Sequence, residues 1–136
     1  MIVSAGALIK SLETNRFLFL ARNKTTSYAK SWSLVGGKIY NNEHVLDGLT
    51  REIYEEVGFV PEILKWFVFD TYISKDKQFC YHSVLLLTPN EFIPKLNAEN
   101  IGYSWVDLDI TPKPLHPKLK EVLKEKILLE SLKNFK

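Results

Sequence analysis

Glu52, Glu55 and Glu56 fall within five consecutive positions of the stretch LTREIYEEVG, residues 49–58. Leu46, Leu49, Ile53 and Val57 recur around them at helical spacing, so the segment reads as an amphipathic helix. At about 100° per residue the three glutamates share a sector of roughly 100° beside the apolar stripe. Carboxylates three and four apart repel one another, and a surface ion pair with Arg51 returns little. A solvated acidic face is the ordinary explanation. A divalent cation is the chemical one, because hard ions such as Mg²⁺ take one or two carboxylates together with waters and substrate phosphates. Gly36 and Gly37 stand just ahead of the helix, with Lys38 attached. Paired glycines let a backbone carbonyl approach a metal, or backbone N–H groups approach a phosphate. Glycine turn and acidic helix together suggest a metal–phosphate site.

The elements that must position these groups follow from pattern. IVSAGALIK and RFLFLAR read as strands joined by the turn SLETN, and NKTTSYAKS as a loop. WSLVGGKI reads as a short strand interrupted by its glycines. The helix is expected from about Glu43 to Val57, with Asn42 as N-cap, Gly58 as a left-handed C′ residue and Pro61 beyond the stop. EILKWFVFDTYI and QFCYHSVLLLT look like strands joined through SKDK. PNEFIPKLNAEN reads as a loop, IGYSWVDLD as a last strand, and KLKEVLKEKILLESLKNF as one C-terminal helix. Strands, helix, strands and helix in that order predict a mixed α+β layer structure.

The bulk numbers set bounds. A length of 136 residues suits a single domain over 1–136, and 46% hydrophobic with 25% charged residues is globular composition. The net charge of +2 argues against a nucleic-acid partner held by bulk attraction. Cys80 is the only cysteine, so no internal disulfide can form, and it is expected in a strand core. MIVSAGALIK lacks a basic leader region, and no apolar run is long enough to span a bilayer, so a cytoplasmic protein without a membrane partner is expected. His44, His82 and His116 show no metal-ligand spacing. Trp32 and Trp105 are expected in the core, and Tyr28 and Tyr72 are aromatic residues able to stack on a base.

Gly37, five residues, Glu43, seven residues and then Arg51-Glu52-Ile53-Tyr54-Glu55-Glu56-Val57-Gly58-Phe59 resembles the Nudix box at every defined position. Seven of those positions are fixed in identity and two are restricted to apolar types. WSLVGGK resembles the family's strand leading into the box, with Val35 where many members carry Pro, and ENIGYSWVDLD resembles its closing strand. The likeness covers residues 2 to 110 and extends only loosely to the last helix.

The resemblance implies an α/β/α sandwich around a mixed sheet. It also implies hydrolysis of a nucleoside diphosphate linked to another moiety, with Mg²⁺ or Mn²⁺ as cofactor. Carried onto this chain, Glu52 and Glu56 become metal ligands, with Glu55 joining directly or through water and the Gly37 carbonyl as a further ligand. Arg51 would orient the glutamates, and Glu43 would help it or support the loop. The base that activates water would be Glu52 or Glu99, the latter also a candidate ligand. Arg22 and Lys38 match places where relatives put phosphate-binding cations, and Tyr28 is a substrate-binding candidate. No marker for ADP-ribose or dinucleoside polyphosphate enzymes stands fifteen or sixteen residues beyond Phe59, where Ser74 and Lys75 lie. The resemblance favours a MutT-like nucleoside triphosphate pyrophosphatase. The alternatives are a nucleotide-sugar or ADP-ribose-type hydrolase, and a nucleotide-binding module without turnover. It leaves the oligomeric state open, a homodimer included.

Overall fold

The computed structural model describes residues 1–23 and 30–136. A run of small and β-branched residues, IVSAGALIKS, forms β1 (Ile2–Ser11), the strand around which the sheet is organised. Its first half pairs antiparallel with β4 (Val35–Ile39), Ala5 opposite Gly37 and Gly6 opposite Gly36. Near Ile9 it changes partner to β2 (Phe17–Arg22). Along its whole length, on the other side, it runs parallel to β6 (Phe79–Thr88), with β5 (Lys65–Ile73) antiparallel at the edge. β2 also carries β3 (Trp32–Ser33) and β7 (Asn100–Val106), which completes a seven-stranded mixed sheet.

Helices cover both faces. On one face α1 (Val45–Val57) buries Leu49, Ile53 and Val57 against Ala5, Ala7, Val35, Ile39 and Val84. The other face buries Leu8, Phe17, Phe19 and Leu85 beneath α2 (Pro117–Val122) and α3 (Lys126–Asn134). This is the α/β/α sandwich with a mixed sheet that the sequence predicts. Cys80 is buried in β6 as expected, and Trp105 is core. Trp32 is only partly buried, because it sits at the outer end of the sheet against the segment entering α2. No helix among the described residues is long and apolar enough to cross a membrane.

Three expected boundaries are corrected. The long helix starts at Val45, with His44 rather than Asn42 at the cap. Residues 40–43 form a turn instead: the Glu43 N–H donates to the Tyr40 carbonyl, and the Glu43 carboxylate accepts from the Tyr40 N–H. The glycines lie inside β4, and the break falls at Leu34. The C-terminal helix is two helices. Lys124 and Glu125 donate to the carbonyls three residues back, which tightens the chain and turns it. That turn lets Leu119, Leu123 and Leu132 enter one core, which a straight helix would not. Neither Gly nor Pro marks it in sequence. Gly58 does end α1 as expected, at φ 90°, with its N–H donating to the Tyr54 carbonyl.

The end of α3 is fastened by a buried cation. Lys10 is fully buried, and its Nζ donates to the carbonyls of Leu132 (3.1 Å), Lys133 (2.8 Å) and Phe135 (2.6 Å). These are carbonyls at the end of α3 that the helix cannot satisfy itself. Burial lowers the Lys10 pKa, and the Lys136 charge lowers it further. Lys10→Met would keep the apolar stem and remove the donor. It is expected to destabilise the protein by about 1–3 kcal/mol in a urea titration, through carbonyls left unsatisfied.

Candidate active site

Burial of its apolar face outweighs the repulsion among the glutamates of α1. Burying Leu49, Ile53 and Val57 completely is worth roughly 1.5–3 kcal/mol each, whereas a like-charge pair on the helix costs about 0.2–0.5 kcal/mol. The glutamates are therefore tolerated, and the structure shows what engages each of them. Arg51 is the hub. Its Nε and Nη2 donate to the two oxygens of Glu43 at 3.0 and 2.9 Å, Nη2 also to the Lys38 carbonyl at 2.9 Å, and Nη1 to Glu52 Oε1 at 3.0 Å. The guanidinium carbon stacks 4.2 Å from the centre of the Tyr40 ring. These bonds raise the Arg51 pKa further, the Glu43 hydrogen bond most, and the same contact lowers that of Glu43. Arg51 thus ties the box's first glutamate to its helix and to β4.

Glu52 lies against Gly37. A β-carbon at Gly37 would fall 2.6 Å from both Cδ and Oε2 of Glu52, so only glycine leaves room for the carboxylate beside the strand. Burial raises the Glu52 pKa, its Arg51 bond opposes this, and the charges of Glu55 and Glu99 add to it. Glu56 is only 4% exposed, which the sequence pattern did not anticipate. The Gly36 N–H donates to its Oε1 at 2.7 Å, and Asn100 Nδ2 donates to its Oε2 at 2.6 Å. Both bonds favour the anion. Burial outweighs them, and with the charges of Glu99 and Glu52 the pKa rises to about 7.

The remaining sequence candidates divide. Glu99 is exposed in the loop before β7, near enough to Glu52 and Glu56 to raise the pKa of both. The Asn97 side chain and the Asn23 N–H hold its backbone. Glu55 is half-exposed and turns toward Arg51 at 3.8 Å. Arg22 stands at the irregular end of β2 and lines the neighbouring cavity. Lys38 is exposed and does not line it. Tyr28 lies outside the described residues. Among the described residues, no three His, Cys, Asp or Glu side chains converge as they would around an ion, since protein donors engage Glu52 and Glu56. The donor set nevertheless suits a hard cation: every candidate ligand is an oxygen, and neighbouring carboxylate charges raise the pKa of Glu52 and of Glu56.

A cavity of about 550 Å³ opens beside the glycines. Its floor is the sheet face carrying Ser4, Tyr81, Ser83, Asp70 and Tyr72, and α2 roofs it. Lys118 Nζ lies 4.0 Å from the Tyr72 ring centre and 5.0 Å from that of Phe79, closing the end away from the glycines. Sequence reasoning missed Asn100, Tyr81 and Lys118. Asn100 adjoins Glu99, which was a usable signal. Tyr81 alternates with Phe79 and Ser83, but only the β1–β6 register shows that this face meets the cavity.

Glu56 makes stability depend on pH in metal-free buffer. Its folded pKa lies above the ordinary value of 4.5, so its contribution is full below about pH 4.5 and is lost as pH rises through 7. A loss of roughly 2–3 kcal/mol attributable to this group is expected between those limits. Glu56→Gln keeps the shape without the charge, and Asn100 can turn its amide oxygen toward the new donor. The variant is expected to melt at a higher temperature than wild type at pH 8 and to match it near pH 4.5. Gly37→Ala should retain the fold yet push Glu52 aside, which a crystal structure of the variant would show.

A family model described as NUDIX domain matches residues 2–126. The chain is 31% identical over 68 residues to an 8-oxo-dGTP diphosphatase of Buchnera aphidicola subsp. Acyrthosiphon pisum (strain APS). That match covers 49% of this chain and 52% of the relative, so it spans about half of that relative's length. Among solved structures, a MutT NUDIX hydrolase from Burkholderia pseudomallei superposes with a TM-score of 0.70 at 26% identity, covering 91% of this chain and 96% of that one. The MutT protein from Methanosarcina mazei Go1 gives 0.68 at 26% identity over 99% and 96% of the two chains. With the complete box on α1 and its flanks, and a family match running almost from end to end, the chain belongs to the Nudix hydrolase family.

Proposed function

We propose that the protein is a Mg²⁺-dependent hydrolase that cleaves a pyrophosphate bond in a nucleoside diphosphate-linked substrate, a (deoxy)nucleoside triphosphate in the first instance. One observation carries this reading: Gly36 and Gly37, which touch Glu56 and Glu52 of the box, also line a cavity of about 550 Å³ with Arg22 on its wall. The named relative, an 8-oxo-dGTP diphosphatase, supports the triphosphate class. Glu52, Glu55, Glu56 and Glu99, with the Gly37 carbonyl, would hold the ion, and Mn²⁺ could replace Mg²⁺. A bound divalent ion supplies neutralisation of the diphosphate and acidification of a water.

The chain's own groups do the rest. Arg51 holds Glu52 Oε1, which leaves Oε2 at Gly37 to accept the water's proton. The burial that raises the Glu52 pKa makes it a better base than an exposed carboxylate. Asn100 and the Gly36 N–H fix Glu56, and the Arg22 guanidinium offers charge to a phosphate on the cavity side. Asp70, Ser83 and Tyr72 line the remainder of the cavity, where the nucleoside would lie.

The test is turnover of a panel comprising nucleoside triphosphates, 8-oxo-dGTP, nucleotide sugars and ADP-ribose in Mg²⁺, with products resolved by chromatography. Release of a nucleoside monophosphate and pyrophosphate from a triphosphate is expected. Glu52→Gln and Glu56→Gln should each reduce kcat about 100-fold or more, and Lys38→Ala only a few-fold. Selective cleavage of ADP-ribose would move the substrate class to the nucleotide-sugar type. No turnover with intact binding would make the domain a nucleotide-binding module.

A further inference from the structure

Gly6 faces the cavity side of β1, between Ser83 on β6 and Gly36 on β4. The space a side chain would take there is used by its neighbour. A β-carbon at Gly6 would overlap the Tyr81 hydroxyl oxygen and lie 3.1 Å from Tyr81 Cζ and 3.0 Å from Leu34 Cβ. Tyr81 therefore reaches from β6 across β1 toward the glycine rim. Its hydroxyl is near enough to Glu56 on α1 and Arg22 on β2 for the first charge to raise its pKa and the second to lower it. Ser4 and Ser83 share that face, and among the described residues no hydrogen bond is made by the Tyr81 hydroxyl. Tyr81 lines the cavity, and no fully buried side-chain polar atom is left without a partner among the described residues, which fits a hydroxyl that reaches the cavity. This phenol is given room by a glycine, and its hydroxyl makes no hydrogen bond to the fold among the described residues.

We infer that Tyr81 is a substrate-binding residue whose phenolic O–H donates a hydrogen bond to a non-bridging oxygen of the bound diphosphate. This rests on the hydrolase reading for the presence of a diphosphate at the glycine rim. The phosphate is the partner nearest in chemistry: the hydroxyl lies at the end of the cavity that holds Gly36, Gly37 and Arg22, away from the Lys118–Tyr72–Phe79 end. Burial, with the Glu56 charge adding to it and Arg22 opposing, keeps the hydroxyl protonated, so it donates. A donor to a charged oxygen is stronger than one between neutral groups.

Two readouts test it. Calorimetric binding of Mg²⁺–imidodiphosphate, a pyrophosphate analogue with no nucleoside, would be compared between wild type and Tyr81→Phe. Steady-state kinetics would be measured with whichever nucleotide the wild type cleaves. Tyr81→Phe removes one oxygen without disturbing the ring, and its melting temperature is expected to stay near that of wild type. Binding of the analogue should weaken about 10-fold, with kcat/KM falling at least as much. Gly6→Ala, which displaces the hydroxyl without touching the phenol, should reproduce the loss and add little in the Tyr81→Phe background. Unchanged analogue affinity in Tyr81→Phe would overturn the inference, whatever the kinetics. Failure of the wild type to bind the analogue would overturn it too, since no diphosphate would then meet the hydroxyl. If the wild type cleaves nothing but Tyr81→Phe still weakens analogue binding, the hydrolase reading fails and the role of Tyr81 stands.

Discussion

Glu56 is the group on which the site's geometry depends. One carboxylate, buried at the inner end of α1, is held by the Gly36 N–H from β4 and the Asn100 amide from the start of β7. Three elements, one of them distant in sequence from the other two, are thereby fixed around one negative charge. The helix brings Glu52 and Glu55, the strand brings the glycines, and Asn100 brings its neighbour Glu99. Replacing the charge with an apolar group would leave two buried donors unpaired, and leaving the charge in place costs desolvation. The protein keeps an interaction that stability alone would not select.

Around that charge the supporting contacts have separate tasks. Arg51 locks the outer carboxylates to β4 through the Lys38 carbonyl and to the Tyr40–Glu43 turn. The apolar stripe of α1 pins the helix to the sheet, and its burial exceeds the repulsion among the glutamates by an order of magnitude. On the opposite face, Lys10 anchors the end of α3 while Leu119 and Leu123 seat α2 over the cavity. The helix that carries the carboxylates and the cavity thus lie on different faces of one sheet, meeting at the glycines of β4.

Much of this was legible in the sequence, for physical reasons. Periodicity located α1 because its buried face is apolar over several turns, and Gly58 marked its end because few other residues adopt that backbone. The box singled out Glu52, Glu55 and Glu56 because its spacing places all three on one side of a helix. What stayed hidden depends on contacts between distant segments. The burial of Glu56 needs Asn100, which lies 44 residues away. Tyr81 reads as one more strand aromatic until Gly6 is seen to make room for it. The turn between α2 and α3 is set by the shared core rather than by a breaker residue. Lys38 follows the glycines in sequence, yet its exposed side chain lies beyond the cavity lining.

A Mn²⁺ titration followed by electron paramagnetic resonance tests the central claim, that the crowded glutamates form a cation site, most directly. It needs neither substrate nor turnover. Wild type is expected to quench the free-ion signal with a saturable stoichiometry, and Glu56→Gln, which retains the fold, to weaken that binding about 10-fold or more. Equal Mn²⁺ affinity in wild type and Glu56→Gln, or no saturable binding by wild type, would contradict it.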